Sequence, residues 1–415
     1  MDFFLITLTL LLGFYMAWNI GANDVANAMG TSVGSKALTL RKAVILAAIL
    51  EFSGAFFIGS NVSETIQKGI VDPTIFTADP MIFVLGMMGS LLATGALLQL
   101  ASYKGLPIST THAIVGAVIG FGVVIGGIEA IFWPEVGKIV LSWVLSPVLS
   151  GAVSFFLFRF IQRKILHAPS PIQAMQKLVP YLAFFIFTTV SLILLHQSSS
   201  QFNLPLTATL CASTAVGLVG YFFSAKLIQP KLVAINAINL SQSTSETNVE
   251  KIFISLQIVS ACLVAFAHGA NDVANAIGPV AAVLNVLKTQ SLSAKTYIPT
   301  WLLVLGGGGI VIGLATWGWR VIETIGKKIT ELTPTRGFSA EFGAAITILL
   351  ASKIGLPIST THALVGAVLG VGLTRGIEAL NLKMIKEIVV SWAVTIPLCA
   401  LFSVISFYLL KWIVL

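Results

Sequence analysis

Charge is scarce in this chain. Asp, Glu, Lys and Arg make up only 10% of its 415 residues, against 56% hydrophobic, where soluble domains carry about 25% charged residues. That shortage excludes a water-soluble globular domain and makes membrane lipid the solvent for most of the sequence. Cysteine is almost as rare. Cys211, Cys262 and Cys399 all fall within apolar runs, at no metal-ligand spacing, which excludes a disulfide scaffold and a thiolate metal centre. No basic segment precedes the first apolar run, which follows Met1-Asp2-Phe3 directly, so no cleaved signal peptide is expected. The formal net charge of +8 would suggest a nucleic-acid partner in a soluble protein. Here the basic residues cluster between apolar runs, as membrane flanks do, and no nucleic-acid partner is expected.

A membrane-spanning helix needs about 20 apolar residues. Runs of that kind lie near residues 3–18, 42–60, 81–102, 108–127 and 137–161, then 178–196 and 205–224, then 251–268, 300–320, 339–353, 359–375 and 388–413. They predict an all-α polytopic membrane protein of about 12 transmembrane helices. Into this apolar background is set Gly21-Ala-Asn-Asp-Val-Ala-Asn-Ala28, which returns letter for letter at Gly269 to Ala276. An Asp at the bilayer centre costs about 2.5–3.5 kcal/mol even on an insertion scale, so Asp24 and Asp272 each need a compensating partner. Neither stretch contains a Lys or Arg. The carboxamides of Asn23, Asn27, Asn271 and Asn275 offer neutral oxygens that would complete a shell around a small cation. The segments near 21–33 and 270–286 are polar and Gly-rich, and are expected to be breaks or re-entrant hairpins.

The duplication extends further. Ala101–Gly120 and Ala351–Gly370 agree at 16 of 20 positions, with Gly-Leu-Pro-Ile-Ser-Thr-Thr-His-Ala unbroken in both. Residues 1–161 and 251–415 thus form two homologous transmembrane repeats, joined by residues 162–250 with two further helices and cytoplasmic loops. Five crossings per repeat and two in the join give the second repeat the opposite orientation, an inverted-topology repeat. With both termini outside, only Lys68, Lys138, Lys288, Lys295, Lys353 and Lys411 of the 24 basic residues face outward, as the positive-inside rule asks.

In the second motif, Gly105 and Pro107 break the chain, Ser109 is a natural N-cap, and Thr110, Thr111 and His112 open a helix. Gly355, Pro357 and Ser359 repeat the pattern before Thr360, Thr361 and His362. A helix N-terminus carries unpaired N–H groups and partial positive charge, and adjacent hydroxyls make it a cradle for an oxyanion. Inverted symmetry aims two such cradles at one point. His112 and His362 are accessory candidates, as is Glu51, an acid in mid-span suited to relaying a proton or cation. His268 has Ile20 as its counterpart, so the repeat gives it no support.

These two motifs, each present twice, resemble those of the inorganic phosphate transporter (PiT) family, and the resemblance covers nearly everything outside residues 162–250. It implies an inverted-repeat secondary transporter, not an enzyme, that carries inorganic phosphate in symport with a cation, sodium in some branches and protons in others. Carried over position by position, it assigns Asn23, Asp24, Asn27, Asn271, Asp272 and Asn275 to the cation and Ser109, Thr110, Thr111, Ser359, Thr360 and Thr361 to phosphate. Glu341, also marked in the family, faces Leu91 in the first repeat, so the site is not fully two-fold.

Two aspartates and a phosphate with no Lys or Arg nearby leave excess negative charge that cannot stay unpaired in a low-dielectric site. Carboxamide and backbone oxygens suit a hard cation, which favours transported sodium ions over protons, with no organic cofactor. The alternatives are a proton-coupled phosphate or metal-phosphate symporter and a sulfate permease of the same fold. The expected setting is the plasma (inner) membrane, and a homodimer is left open.

Overall fold

The computed structural model describes residues 2–105, 108–202, 205–236, 242–289, 292, 298–319, 321–322, 333–376, 378, 380 and 382–414. Pro107 lies outside them. The described residues are helical almost throughout. The first repeat comprises α1 (Asp2–Gly34), α2 (Leu40–Ile58), α3 (Ser60–Lys68), α4 (Pro80–Tyr103), α5 (Thr110–Phe121) and α6 (Trp133–Ile161). The join contributes α7 (Pro171–Phe202) and α8 (Leu206–Asn236), which pack chiefly on each other. There follow α9 (Gln242–Thr289), α10 (Thr300–Thr316), α11 (Pro334–Lys353), α12 (Thr360–Leu373) and α13 (Leu382–Val414).

The polar motif segments do not break. Residues 21–33 continue α1 and residues 270–286 continue α9 as unbroken α-helix, contrary to the expectation of breaks or re-entrant hairpins. A helix already satisfies its own backbone, so the remaining difficulty is confined to side chains, part of whose polar groups are paired across helices. Close approach does the rest. A Cβ placed on Gly21 would lie 1.9 Å from the Ile310 carbonyl oxygen of α10, and one on Gly269 would lie 2.0 Å from the Glu51 carbonyl oxygen of α2. Two glycines thus let a neighbouring backbone press against each motif, which removes the space a hairpin would need.

The breaks occur instead in the second motif. Gly105 and Gly355 adopt left-handed backbone (φ 64° and 72°) just after α4 and α11, as helix C-termini favour. Ser109 and Ser359 then start α5 and α12. α5 runs on through a π-helical turn at Gly122–Gly126, and α12 has 14 residues; at 1.5 Å per residue they reach about 25 and 21 Å, short of a hydrocarbon core of about 30 Å. Among the described residues, seven helices are long and apolar enough to cross a membrane, or eight if α2 and α3, bent by 68° at Gly59, count as one. Helix lengths therefore do not reproduce twelve full crossings. The runs near 108–127 and 359–375 form two of the shorter apolar helices, and their polar first turns are buried.

The repeats interlock. α1 packs on α10 while its counterpart α9 packs on α2; α5 packs on α13 while α12 packs on α6. One contiguous apolar core runs through both, including Met16, Ile20, Val25, Ile114, Val118, Val273, Ile277 and Val368. Close packing of this kind predicts that Gly269→Ala, whose Cβ must displace the α2 backbone, lowers stability in detergent by about 1–3 kcal/mol. Gly308→Ala, with nothing within 4 Å of the added Cβ, should leave it unchanged. Equal melting temperatures for the two variants would contradict this packing.

A candidate functional site where the repeats meet

The continuous helices α1 and α9 carry the two motifs to one place. Ligand atoms of Asp24, His268 and Asp272 all lie within 4.8 Å of one another, and all three residues are buried. At an effective dielectric of about 20, two unit negative charges that close repel by about 3.5 kcal/mol. Among the described residues no Lys or Arg pairs with either aspartate. Hydroxyls from the short helices serve instead: Thr110 donates to Asp24 Oδ2, and Thr360 donates to Asp272 Oδ2 at 2.8 Å. Each aspartate is thus held by the first turn of its own repeat's short helix.

Two of the asparagines, Asn27 and Asn275, make links between repeats. Asn27 Nδ2 donates to Thr361 Oγ1 at 2.8 Å and to Asp24 Oδ1 at 3.3 Å, while Asn275 Nδ2 donates to Thr111 Oγ1 at 3.3 Å. Asn271 donates to Ser352 Oγ (3.0 Å) and the Leu356 carbonyl (3.2 Å). In the amide orientation that satisfies both its ends, Asn23 accepts from Ser102 Oγ (3.0 Å) and donates to the Ile108 carbonyl (3.2 Å) and Asp24 Oδ1 (3.1 Å). With their NH2 groups so committed, Oδ1 of Asn27, Asn271 and Asn275 and Oδ1 of Asp272 remain buried without a partner. A buried amide oxygen without a hydrogen bond costs about 1–3 kcal/mol, and a bound hard cation would recover it.

Both short helices are capped alike. Ser109 Oγ accepts from the His112 N–H, and Ser359 Oγ from the His362 N–H, each at 3.2 Å. The caps occupy the third N–H of each helix, and the first two, on the threonines, have no intrahelical carbonyl to reach. The serine hydroxyl protons remain as donors. Thr111 is committed differently, donating to the Ile358 carbonyl at 2.9 Å across the repeat boundary. The arrangement can hold an oxyanion by N–H and O–H groups beside a cation held by carboxylate and amide oxygens.

The accessory candidates divide. Glu51 lies against the site through His268: Nδ1 is 3.2 Å from Glu51 Oε1 and Nε2 is 3.0 Å from Asp272 Oδ2. The repeat pattern missed His268, since its counterpart is Ile20; a His one helical turn before a buried Asp was the available signal. His112 and His362 lie against each other and against Trp143 of α6. Their rings meet edge to face with centroids 4.3 Å apart, His112 lies 3.9 Å from the Trp143 ring, and His362 Nδ1 is 3.1 Å from the Trp143 carbonyl oxygen. Glu341 forms a separate cluster, accepting from Thr31 (2.6 Å), Ser32 (2.7 Å), Gln257 (3.2 Å) and Ser260 (2.6 Å).

With this geometry in hand, similarity to known proteins is informative. Residues 20–403 match the model of the phosphate transporter family. A Chlamydia pneumoniae protein bearing the name of a phosphate permease is 49% identical over 428 residues, covering 98% of each chain. The chloroplastic inorganic phosphate transporter 2-1 of Arabidopsis thaliana is 48% identical over 419 residues, covering 96% of this chain and 70% of its own. A solved structure described as the sodium-dependent phosphate transporter superposes with a TM-score of 0.90 at 41% identity, covering 99% of this chain and 100% of that one.

Replacing His268 by Leu leaves Glu51 and Asp272 without the imidazole between them. The variant is expected to lose about 3 kcal/mol of stability in detergent. Adding Glu51→Gln to it should return part of that loss in a double-mutant cycle. Additive effects of the two changes would show that the three side chains do not act as a unit.

Proposed function

The chain belongs to the phosphate transporter family, whose members are carriers and not enzymes, and on that premise we propose that it moves inorganic phosphate across the membrane in symport with sodium. The observation that carries this reading is the meeting of Asp24 and Asp272 beside two capped helix starts, with amide oxygens left unpartnered around them. In this reading Asn23, Asp24 and Asn27 serve one sodium ion, and Asn271, Asp272 and Asn275 a second. Phosphate is held between them by Ser109, Thr110 and Thr111 and by Ser359, Thr360 and Thr361.

The chemistry follows from charge. Sodium bound first neutralises the aspartates and reduces the repulsion that phosphate would meet. Phosphate then brings its own negative charge into a field of helix N-termini and hydroxyls, and each ligand raises the affinity for the other by linkage. Hydroxyls and amides suit a carrier, which must release its substrate; an Arg fork would bind phosphate more tightly. The crossed bonds Asn27 to Thr361 and Asn275 to Thr111 join the cation groups of one repeat to the phosphate groups of the other, so both ligands bias the same contacts between the repeats. We further propose that residues 1–161 and 251–415 are inverted repeats joined by 162–250, with both termini outside the plasma (inner) membrane. The likeness to a structure described as a sodium-dependent phosphate transporter supports sodium as the coupling ion.

One observation favours a second reading. An imidazole between two carboxylates can donate to both only when it carries two protons, so Glu51, His268 and Asp272 form a chain able to hold a transported proton. Uptake of labelled phosphate into proteoliposomes, with sodium and pH gradients imposed separately, decides between the two. Sodium coupling predicts that replacing sodium with choline at fixed pH abolishes uptake. Undiminished uptake in choline that tracks the pH gradient would establish proton coupling instead. Asp24→Asn and Asp272→Asn are each expected to abolish coupled uptake in a folded protein. Ser109→Ala and Ser359→Ala should weaken phosphate binding more than sodium binding; equal losses for both ligands would reduce these serines to helix caps.

A further inference from the structure

Around the two-fold site lies a polar feature that only the first repeat possesses. On α1, Tyr15, Asn19, Asn23 and Asn27 recur every four residues, so successive side chains lie about 6 Å apart along the helix. Facing them on α4 are Gly95, Gln99 and Ser102. Asn23 meets Ser102, and Tyr15 donates its hydroxyl proton to Gln99 Oε1. Asn19 is fully buried; its Nδ2 donates to the Tyr15 carbonyl at 2.9 Å and its Oδ1 has no partner. Gly95 is shaped to this row, because a Cβ there would lie 2.6 Å from the Tyr15 ring and 3.6 Å from Asn19 Nδ2.

The second repeat keeps the inner steps, Asn271, Asn275 and Ser352, but places Leu263, Ala267, Ala345 and Leu349 where the first has Tyr15, Asn19, Gly95 and Gln99. The architecture therefore holds together with apolar residues at these positions. A buried amide oxygen without a partner costs about 1–3 kcal/mol, and helix packing alone gives no reason to keep it.

We infer that Asn19, with Tyr15 and Gln99, is a cation-handling step one helical turn from Asn23 and Asp24, through which a sodium ion reaches or leaves the first-repeat site. The groups suit that task. Amide and phenol oxygens bind a hard cation without holding it as a carboxylate would, and the row leads from half-buried Tyr15 and Gln99 to fully buried Asn19 and then Asn23. The two cations are consequently inequivalent: the one at Asp24 has this route, while the corresponding positions beside Asp272 are Ala267 and Leu263, with His268 already lying against its carboxylate.

The inference rests on the proposed sodium coupling, and the test separates the two. In proteoliposomes, the sodium concentration giving half-maximal phosphate uptake is measured for the wild type, Asn19→Ala, Gln99→Leu, the triple variant Tyr15→Leu/Asn19→Ala/Gln99→Leu that copies the second repeat, and Asn19→Asp. Loss of one oxygen contact is expected to raise that concentration about fivefold in Asn19→Ala. The phosphate half-saturation at saturating sodium should stay unchanged, and Asn19→Asp, by adding charge, should lower the sodium requirement. Unchanged sodium requirements in both Asn19 variants, or equal shifts for sodium and phosphate, would overturn the inference, and the single variants decide if the triple variant does not fold. Wild-type uptake that persists in choline would instead overturn the coupling reading.

Discussion

Two carboxylates buried at one point, with no Lys or Arg among the described residues to balance them, set the terms for the rest of the molecule. Asp24 and Asp272 come from helices far apart in sequence, and each is tied by a threonine hydroxyl to a short helix of its own repeat. The short helices α5 and α12 deliver those hydroxyls from buried first turns. Their starts then bring backbone N–H groups and partial positive charge to the same place. Glycines at 21 and 269 let α10 and α2 close against the motifs. Acid, hydroxyl and helix terminus form one arrangement because none of them is stable at that depth alone.

Much of this was legible in the sequence, and the physical reason is duplication. Ser109 and Ser359 cap helices where Ser-Thr-Thr-His predicts, and Gly105 and Gly355 turn the chain where Gly-Leu-Pro predicts. Asn and Asp in apolar surroundings marked the site because each needs a partner. Three things were not legible. Polarity and glycine content suggest broken helices at residues 21–33 and 270–286, but the backbone stays helical there while the Asn amide groups and one oxygen of each aspartate find partners on other helices. Hydrophobic run length suggests about twelve crossings, while seven or eight helices among the described residues are long and apolar enough to span, and run length alone does not reveal that the polar starts of α5 and α12 are buried.

The other omission concerns asymmetry. His268 stands where Ile20 stands in the first repeat, so comparing the halves discounts the residue that touches both Glu51 and Asp272. Glu341 against Leu91, and Asn19 against Ala267, are further departures. A two-fold centre is suited to holding one substrate between equivalent walls. Differences placed around it set the surroundings of Asp24 apart from those of Asp272.

The most direct test of the central claim is equilibrium binding of labelled phosphate to the purified protein across a sodium titration at fixed pH. Phosphate affinity should rise with sodium with a slope above one, and the slope should fall toward one in either Asp24→Asn or Asp272→Asn. Phosphate affinity that is independent of sodium in the wild type would contradict a site in which cations neutralise the two aspartates.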